Sequence, residues 1–195
     1  RVVSLLMSSG RLTEAQLKNI ANSNSSVNKD FILNNAKLPL KIINILLVDD
    51  DQYIKDRADE HPSKIKYDLL NNGLSYLKDK SKSYKSSLLN NEKLIRPDIL
   101  SVLSFDEDDS ISTSAIMHSK CPISVLRSSQ LLQHEYYAIR QAIAMNENTP
   151  VDILQQLSKD KHFRVSDMAK RNYNFRPEVQ SEIKLFKKYI RLFLS

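Results

Sequence analysis

Glycine is almost missing from this chain, with two in 195 residues. Dinucleotide-binding folds, phosphate loops and tight-turned β-proteins all need glycine, for positive φ angles or for close approach of backbone to a ligand. None of them is expected here. Tryptophan is absent and cysteine occurs once, at Cys121, so there is no disulfide framework and no thiolate metal site. That usage fits a reducing, cytoplasmic setting. Long apolar runs are also missing: the longest, over residues 38–48, is interrupted by Lys41 and Asn44 and is too short to span a bilayer. The opening residues, Arg1 to Leu6, carry one basic and several apolar side chains but no full hydrophobic region or cleavage site of a secretory signal. Starting at Arg1 rather than Met, the sequence reads as a trimmed chain or a fragment of a longer one.

What is present is Leu, Ile, Lys, Asn and Ser in quantity, with 41% apolar residues. This is the composition of helices joined by polar corners, in a chain long enough to bury a real core. The net charge of +6 is concentrated at one end. Residues 159–195 hold ten basic and four acidic side chains, so the first 158 residues are close to neutral.

A period of 26 to 30 residues runs through the chain. Anchoring on one residue of each second helix gives Val27, Ile54, Tyr84, Ile111, Ile139 and Val165. Seven residues later stand Asn34, His61, Asn91, His118, Asn146 and Asn172; five residues earlier stand Asn22, Asp49, Asp79, Asp106, His134 and Asp160. Seven or eight before each anchor is Ile20, Leu47, Leu77, Leu103, Leu132 or Leu157. Pro39, Pro97, Pro122 and Pro150 precede the first apolar residues of their units, where a proline suits a helix start. In the clearest unit, Ile153, Leu154 and Leu157 make one helical face, and Val165, Met168 and Ala169 make the next. Asp160 is expected to cap the second helix, and Asn172 to close it in the left-handed conformation. Two short helices cannot bury their faces alone and must stack on neighbouring pairs.

The expected fold is therefore all-α: a right-handed α-solenoid of about six degenerate two-helix repeats in a single domain, residues 1–195. The repeats fall roughly at 12–36, 38–62, 65–95, 96–120, 121–148 and 149–175, with a capping helix at 177–195. The segment Ile139 to Pro150, followed by Leu154, Leu157 and Asp160, resembles the variant leucine-rich repeat of bacterial proteins and is similar to the broader HEAT-like class. Residues 54–62 form a second, poorer copy. The resemblance implies a HEAT-like superhelix that serves as an interaction scaffold. It also implies a ladder of hydrogen bonds between adjacent repeats, made by the acidic position and the residue after the anchor: Asp49 and Lys55, Asp79 and Lys85, His134 and Arg140. Asp106 and Asp160 have Ser112 and Ser166 at that spacing, so the ladder is expected to be incomplete.

The corner aspartates recur with the repeat, which capping explains and a row of catalytic carboxylates does not. His61 and His118 occupy the Asn position and are read as cap residues. His134 lacks the second histidine of a zinc-protease helix. Cys121 has no paired base, and residues 106–109 lack the glycine and distal glutamate of a calcium loop. No cofactor, metal or catalytic residue is expected. The stripe Val179, Ile183, Phe186 and Ile190, flanked by Lys184, Lys187, Lys188 and Arg191, is read as closing the array and not as a membrane-binding helix.

Solenoids bind along one row of stacked helices, so the residues one before and two, five and six after each anchor are the candidate surface. They are Tyr53, Asp56, Asp59 and Glu60 in the second repeat; Ser110, Thr113, Ile116 and Met117 in the fourth; Ala138, Gln141, Ala144 and Met145 in the fifth; and Arg164, Asp167, Lys170 and Arg171 in the sixth. The surface grades from acidic through apolar to basic. A duplex-DNA groove should be basic throughout, whereas methionines suit an adaptable protein or peptide surface. The expected function is a non-enzymatic scaffold whose protein or peptide partner is touched by Met117, Met145, Arg164, Lys170 and Arg171. The alternative is a nucleic-acid-binding HEAT-like protein, related to alkylation-repair DNA glycosylases and acting through the basic C-terminal end. Tyr136 and Tyr137 beside Arg140 would stack on a base there.

Overall fold

The computed structural model describes residues 12–175, and every regular element among them is helical. The chain divides into two compact units, Arg1–Ile95 and Arg96–Ser195. The boundary falls between the third and fourth expected repeats.

The first unit holds α1 (Glu14–Ala21), α2 (Ser26–Leu33), α3 (Leu40–Leu46), α4 (Gln52–Asp59), α5 (Pro62–Asn71), a 3-10 turn (Leu74–Asp79) and α6 (Lys82–Leu89). Each helix start has a local cause. Thr13 and Gln16 form a capping box on α1, and Ser25, Asp51, His61 and Ser81 accept backbone N–H bonds at the starts of α2, α4, α5 and α6. Helices α1, α3 and α5 pack in one row; α2 and α4 pack in another against it. Leu17, Ile32, Leu38, Ile42, Ile43, Leu46, Ile54 and Ala58 fill the space between the rows. Gly73, at φ 67°, breaks the chain after α5 and forces the 3-10 turn in place of a further regular helix.

The second unit holds α7 (Pro97–Leu103), α8 (Asp109–Met117), α9 (Ile123–Leu126), α10 (Ser129–Leu132), α11 (Tyr137–Met145), α12 (Val151–Leu157), α13 (Phe163–Arg171) and a 3-10 turn (Tyr173–Phe175). The second helices α8, α11 and α13 lie side by side in chain order. Their core runs from Ile116 through Leu126, Ile139 and Ile143 to Leu154, Val165 and Ala169.

Several expectations change here. Ile54, Tyr84, Ile111, Ile139 and Val165 are buried as anchors should be, but Val27 is 78% exposed. In the first expected repeat the phase is shifted by one residue. Asn28 sits two residues inside α2, as Ile54 does in α4, and Ile32, four residues on, occupies the place of Ala58. No described residue other than glycine has positive φ, so Asn146 and Asn172 are not left-handed caps; both are extended, with ψ of 131° and 135°. Asp160 does not cap α13 either: the cap position is His162, and Asp160 lies two residues earlier. The helix expected over residues 123–132 is two four-residue turns, α9 and α10, separated where Ser128 adopts an extended conformation. The proposed capping helix at 177–195 lies outside the described residues.

Candidate interaction surface

Three sets of hydrogen bonds fix the second helices of the second unit in register. Asn146 donates from Nδ2 to the carbonyl oxygens of Ile116 and His118, and its Oδ1 accepts from the Asn148 N–H at 2.7 Å. Asn172 repeats this one unit later, donating to Ala144 and Asn146 at 2.8 and 2.9 Å and accepting from the Asn174 N–H. In the first unit His61 does the same work, with Nε2 on the Asn35 carbonyl and Nδ1 accepting from the Ser63 N–H. A second set uses the residue two positions on: Asn148 donates to the Ser119 carbonyl, and Asn174 to those of Glu147 and Thr149. In the third set Arg140 donates to both carboxylate oxygens of Asp160 at 2.7 and 3.0 Å, and also to the His134 carbonyl. Lys29 pairs with Asp49 at 2.6 Å at the equivalent place. Asp79 is exposed and forms no ion pair with Lys55 among the described residues, because the 3-10 turn displaces it.

These pairs are shielded from water, which sets their electrostatics. The guanidinium of Arg140 holds the Asp160 carboxyl below its ordinary range. Burial, the largest single influence on Asp49, would raise it, but the Lys29 hydrogen bond, the Asp51 N–H and the charges of Lys29 and Lys55 together bring the net direction down. Burial pushes the Cys121 thiol up to about 11, opposite to what a nucleophile needs. Arg140, with its side chain 5% exposed, is not available to a ligand, so it cannot flank Tyr136 and Tyr137 on the surface.

The register brings four of the five expected contact residues together. Asn146 and Asn172 bridge the C-terminal ends of α8, α11 and α13, so Met117, Met145, Lys170 and Arg171 end these adjacent helices in one row. Met117 and Met145 are 46% and 45% exposed; Lys170 and Arg171 are exposed, and Arg171 pairs with Asp167 one turn back at 3.0 Å. Arg164 is placed elsewhere. It stands at the opposite end of α13, about 10 Å from Arg171 at 1.5 Å per residue. There it donates to the Tyr137 hydroxyl at 3.2 Å and lies over the Phe163 ring at 5.9 Å. Ile116 and Ala144, also expected on the surface, are fully buried. A second helix flanked on both sides exposes a narrower stripe than a terminal one, and the position five after the anchor faces the neighbour.

Two clusters go beyond the sequence reading, which singled out Tyr136 and Tyr137 but did not join them to His162, Phe163 and Arg164. Around Arg164, the Tyr137 and His162 rings stack at 3.8 Å, His162 stacks on Phe163 at 5.6 Å, and Tyr136 meets Tyr137 edge-on. In the first unit, buried Asp68 accepts from Lys64 at 2.6 Å and from the Tyr76 hydroxyl at 2.9 Å. Beside it Lys80 pairs with Asp59 and lies 4.5 and 4.6 Å from the Tyr76 and Tyr84 ring centroids. Burial and the Asp68 bond raise the Tyr76 hydroxyl to about 12. Charges balance within this cluster, which ties α5 to the 3-10 turn and α6. The only sequence sign of it was the departure of the window around Tyr84 from the repeat pattern.

The corner carboxylates are engaged locally. Asp106 accepts from the Asp108 N–H, and Asp108 caps α8 through Ser110 and Ile111. Among the described residues no three His, Cys, Asp or Glu side chains gather as a metal site requires, and no helix is long and apolar enough to cross a membrane. Compared with family models, curated proteins and solved structures, the chain matches none.

Proposed function

We propose that the helix pairs of each unit are turns of a degenerate HEAT-like α-solenoid, and that the chain is a non-enzymatic scaffold. Its protein or peptide partner is held along the exposed edge of the second helices. The observation that carries this reading is the row Met117, Met145, Lys170 and Arg171, held at one register by the buried Asn146 and Asn172 bonds. Two flexible, polarizable thioethers beside two cations suit a partner with an apolar face and an acidic margin. The engagement of the corner aspartates in backbone and inter-helix bonds weighs against reading any of them as catalytic.

Peptide ligands selected against the immobilised chain from a random phage-displayed library test the reading. Selected ligands are expected to lose at least about tenfold in affinity, or 1.4 kcal/mol, on Met117→Glu/Met145→Glu, and to tolerate Gln155→Glu on the exposed part of α12. Ligands indifferent to the methionine pair, or a selection that yields none, would sink the scaffold reading at this edge.

A further inference from the structure

The other end of the same helices has a different chemistry. Tyr136 and Phe163 are 45% and 71% exposed, so parts of their rings lie open to solvent. They are held from behind, since Tyr137 and His162 stack face to face at 3.8 Å with ring planes 7° apart. Arg164 is in turn positioned over Tyr137 and Phe163. A large aromatic ring this exposed is costly to hydrate and is not needed to close the core, which Val165 and Ala169 already fill from the same helix.

The charge around the rings is mainly positive. Lys159 and Lys161 are exposed on the corner leading into α13, and Arg164 is exposed one turn away. Asp160 between the lysines is neutralised by Arg140, leaving Glu135 as the one acidic side chain of these two corners without an ion pair among the described residues. Two of the equivalent corners are acidic, with Asp49, Asp50 and Asp51 before α4 and Asp106 to Asp109 before α8, whereas the corner before α6 carries Lys78 and Lys80 around Asp79. Cations beside an open aromatic face are what a single-stranded nucleic acid recognises: the rings take bases and the cations take phosphates. A duplex keeps its base faces covered and cannot use the rings.

We propose that Tyr136, Phe163 and Arg164, with Lys159 and Lys161, form a short binding site for single-stranded nucleic acid at the start of α11 and α13. This site is separate from the methionine row and does not depend on it. The stack has room for few bases, and three cations neutralise about three phosphates, which predicts a log–log salt slope near −2 at about −0.7 per phosphate.

The test is fluorescence anisotropy of the full chain with labelled octamers of uridylate and deoxythymidylate. An abasic octamer and a duplex of the same length serve as controls, with a poly-glutamate peptide as competitor. Both single strands are expected to bind, and the abasic strand and the duplex at least about fivefold more weakly. Phe163→Ala should weaken the single strands by about 5- to 100-fold with the salt slope unchanged, while Phe163→Trp retains binding. Lys159→Ala/Lys161→Ala should flatten the slope. A preference for one octamer over the other distinguishes RNA from DNA within the same chemistry. Because Phe163 is largely exposed, an unchanged urea midpoint of Phe163→Ala will separate lost binding from lost folding. Equal binding of abasic strand and octamer, indifference to Phe163→Ala, displacement by poly-glutamate at equal charge, or no binding at low salt would each overturn the site.

Discussion

An imidazole can replace a side-chain amide where one edge must donate and the other accept, and His61 does so. Its Nε2–H points to the Asn35 carbonyl while Nδ1 accepts from Ser63, as Asn172 donates to Ala144 and accepts from Asn174. Only the neutral ring can do both. Burial lowers the His61 pKa and the nearby Arg57 charge lowers it further, against the opposing pull of the Asn35 carbonyl. A depressed histidine pKa means that the unfolded chain binds the proton more readily. Its contribution is complete above the ordinary value of about 6.5 and is lost as pH falls below it. His61→Asn should therefore stay within about 1 kcal/mol of the parent at neutral pH and show a shallower loss of stability on acidification. Urea midpoints at about pH 7.5 and 5 check this, and an unchanged pH slope in the variant would refute it. The recurrence of Asn and His at this position was visible in the sequence. Its meaning was not, because the acceptors lie 26 to 30 residues upstream and spacing within one repeat cannot tell a helix cap from a bond between repeats.

At the scale of helices, the shielded Arg140–Asp160 pair joins α11 to the corner before α13, and its two partners are not equivalent to two independent contacts. Arg140→Ala strands a buried carboxylate and should cost about 3–5 kcal/mol, whereas Arg140→Met/Asp160→Leu removes both charges and should cost clearly less. The pH dependence separates the mechanisms. Arg140 depresses Asp160 in the folded state, so the pair's contribution is present above the ordinary carboxylate range and disappears as pH falls through the lowered value. The double variant should lack this acid-sensitive component. If its loss equals that of Arg140→Ala, the pair acts by packing alone. The sequence paired Arg140 with His134, whose carbonyl it does reach, but not with Asp160, since a bond to the following helix pair becomes visible only once the helices are packed. The one-residue shift of the first expected repeat has a similar origin: Val27 looks like a core residue, and only the Lys29–Asp49 bond and the burial of Ile32 reveal the phase.

For the molecule as a whole, helical character was legible because the scarcity of glycine and the periodic apolar pairs both require it. The methionine row was legible in part, because exposure follows from helical phase. Of the aromatic cluster only Tyr136 and Tyr137 were legible: Tyr137 and His162 are 25 residues apart in sequence and meet only through the stacking of α11 on α13. A chain built this way should transmit damage over short distances. Within the second unit, α12 packs on α11, α13 and the turn after it, and Leu154 belongs to a core that includes no residue of α7. Leu154→Ala should cost about 2–5 kcal/mol locally. In native-state hydrogen exchange the amides of α11, α12 and α13 should lose protection by that amount, while those of α7 keep most of theirs. Uniform loss from α7 to α13 would show that the unit opens in one step, and a linear array of nearest-neighbour contacts would then be the wrong description of its energetics.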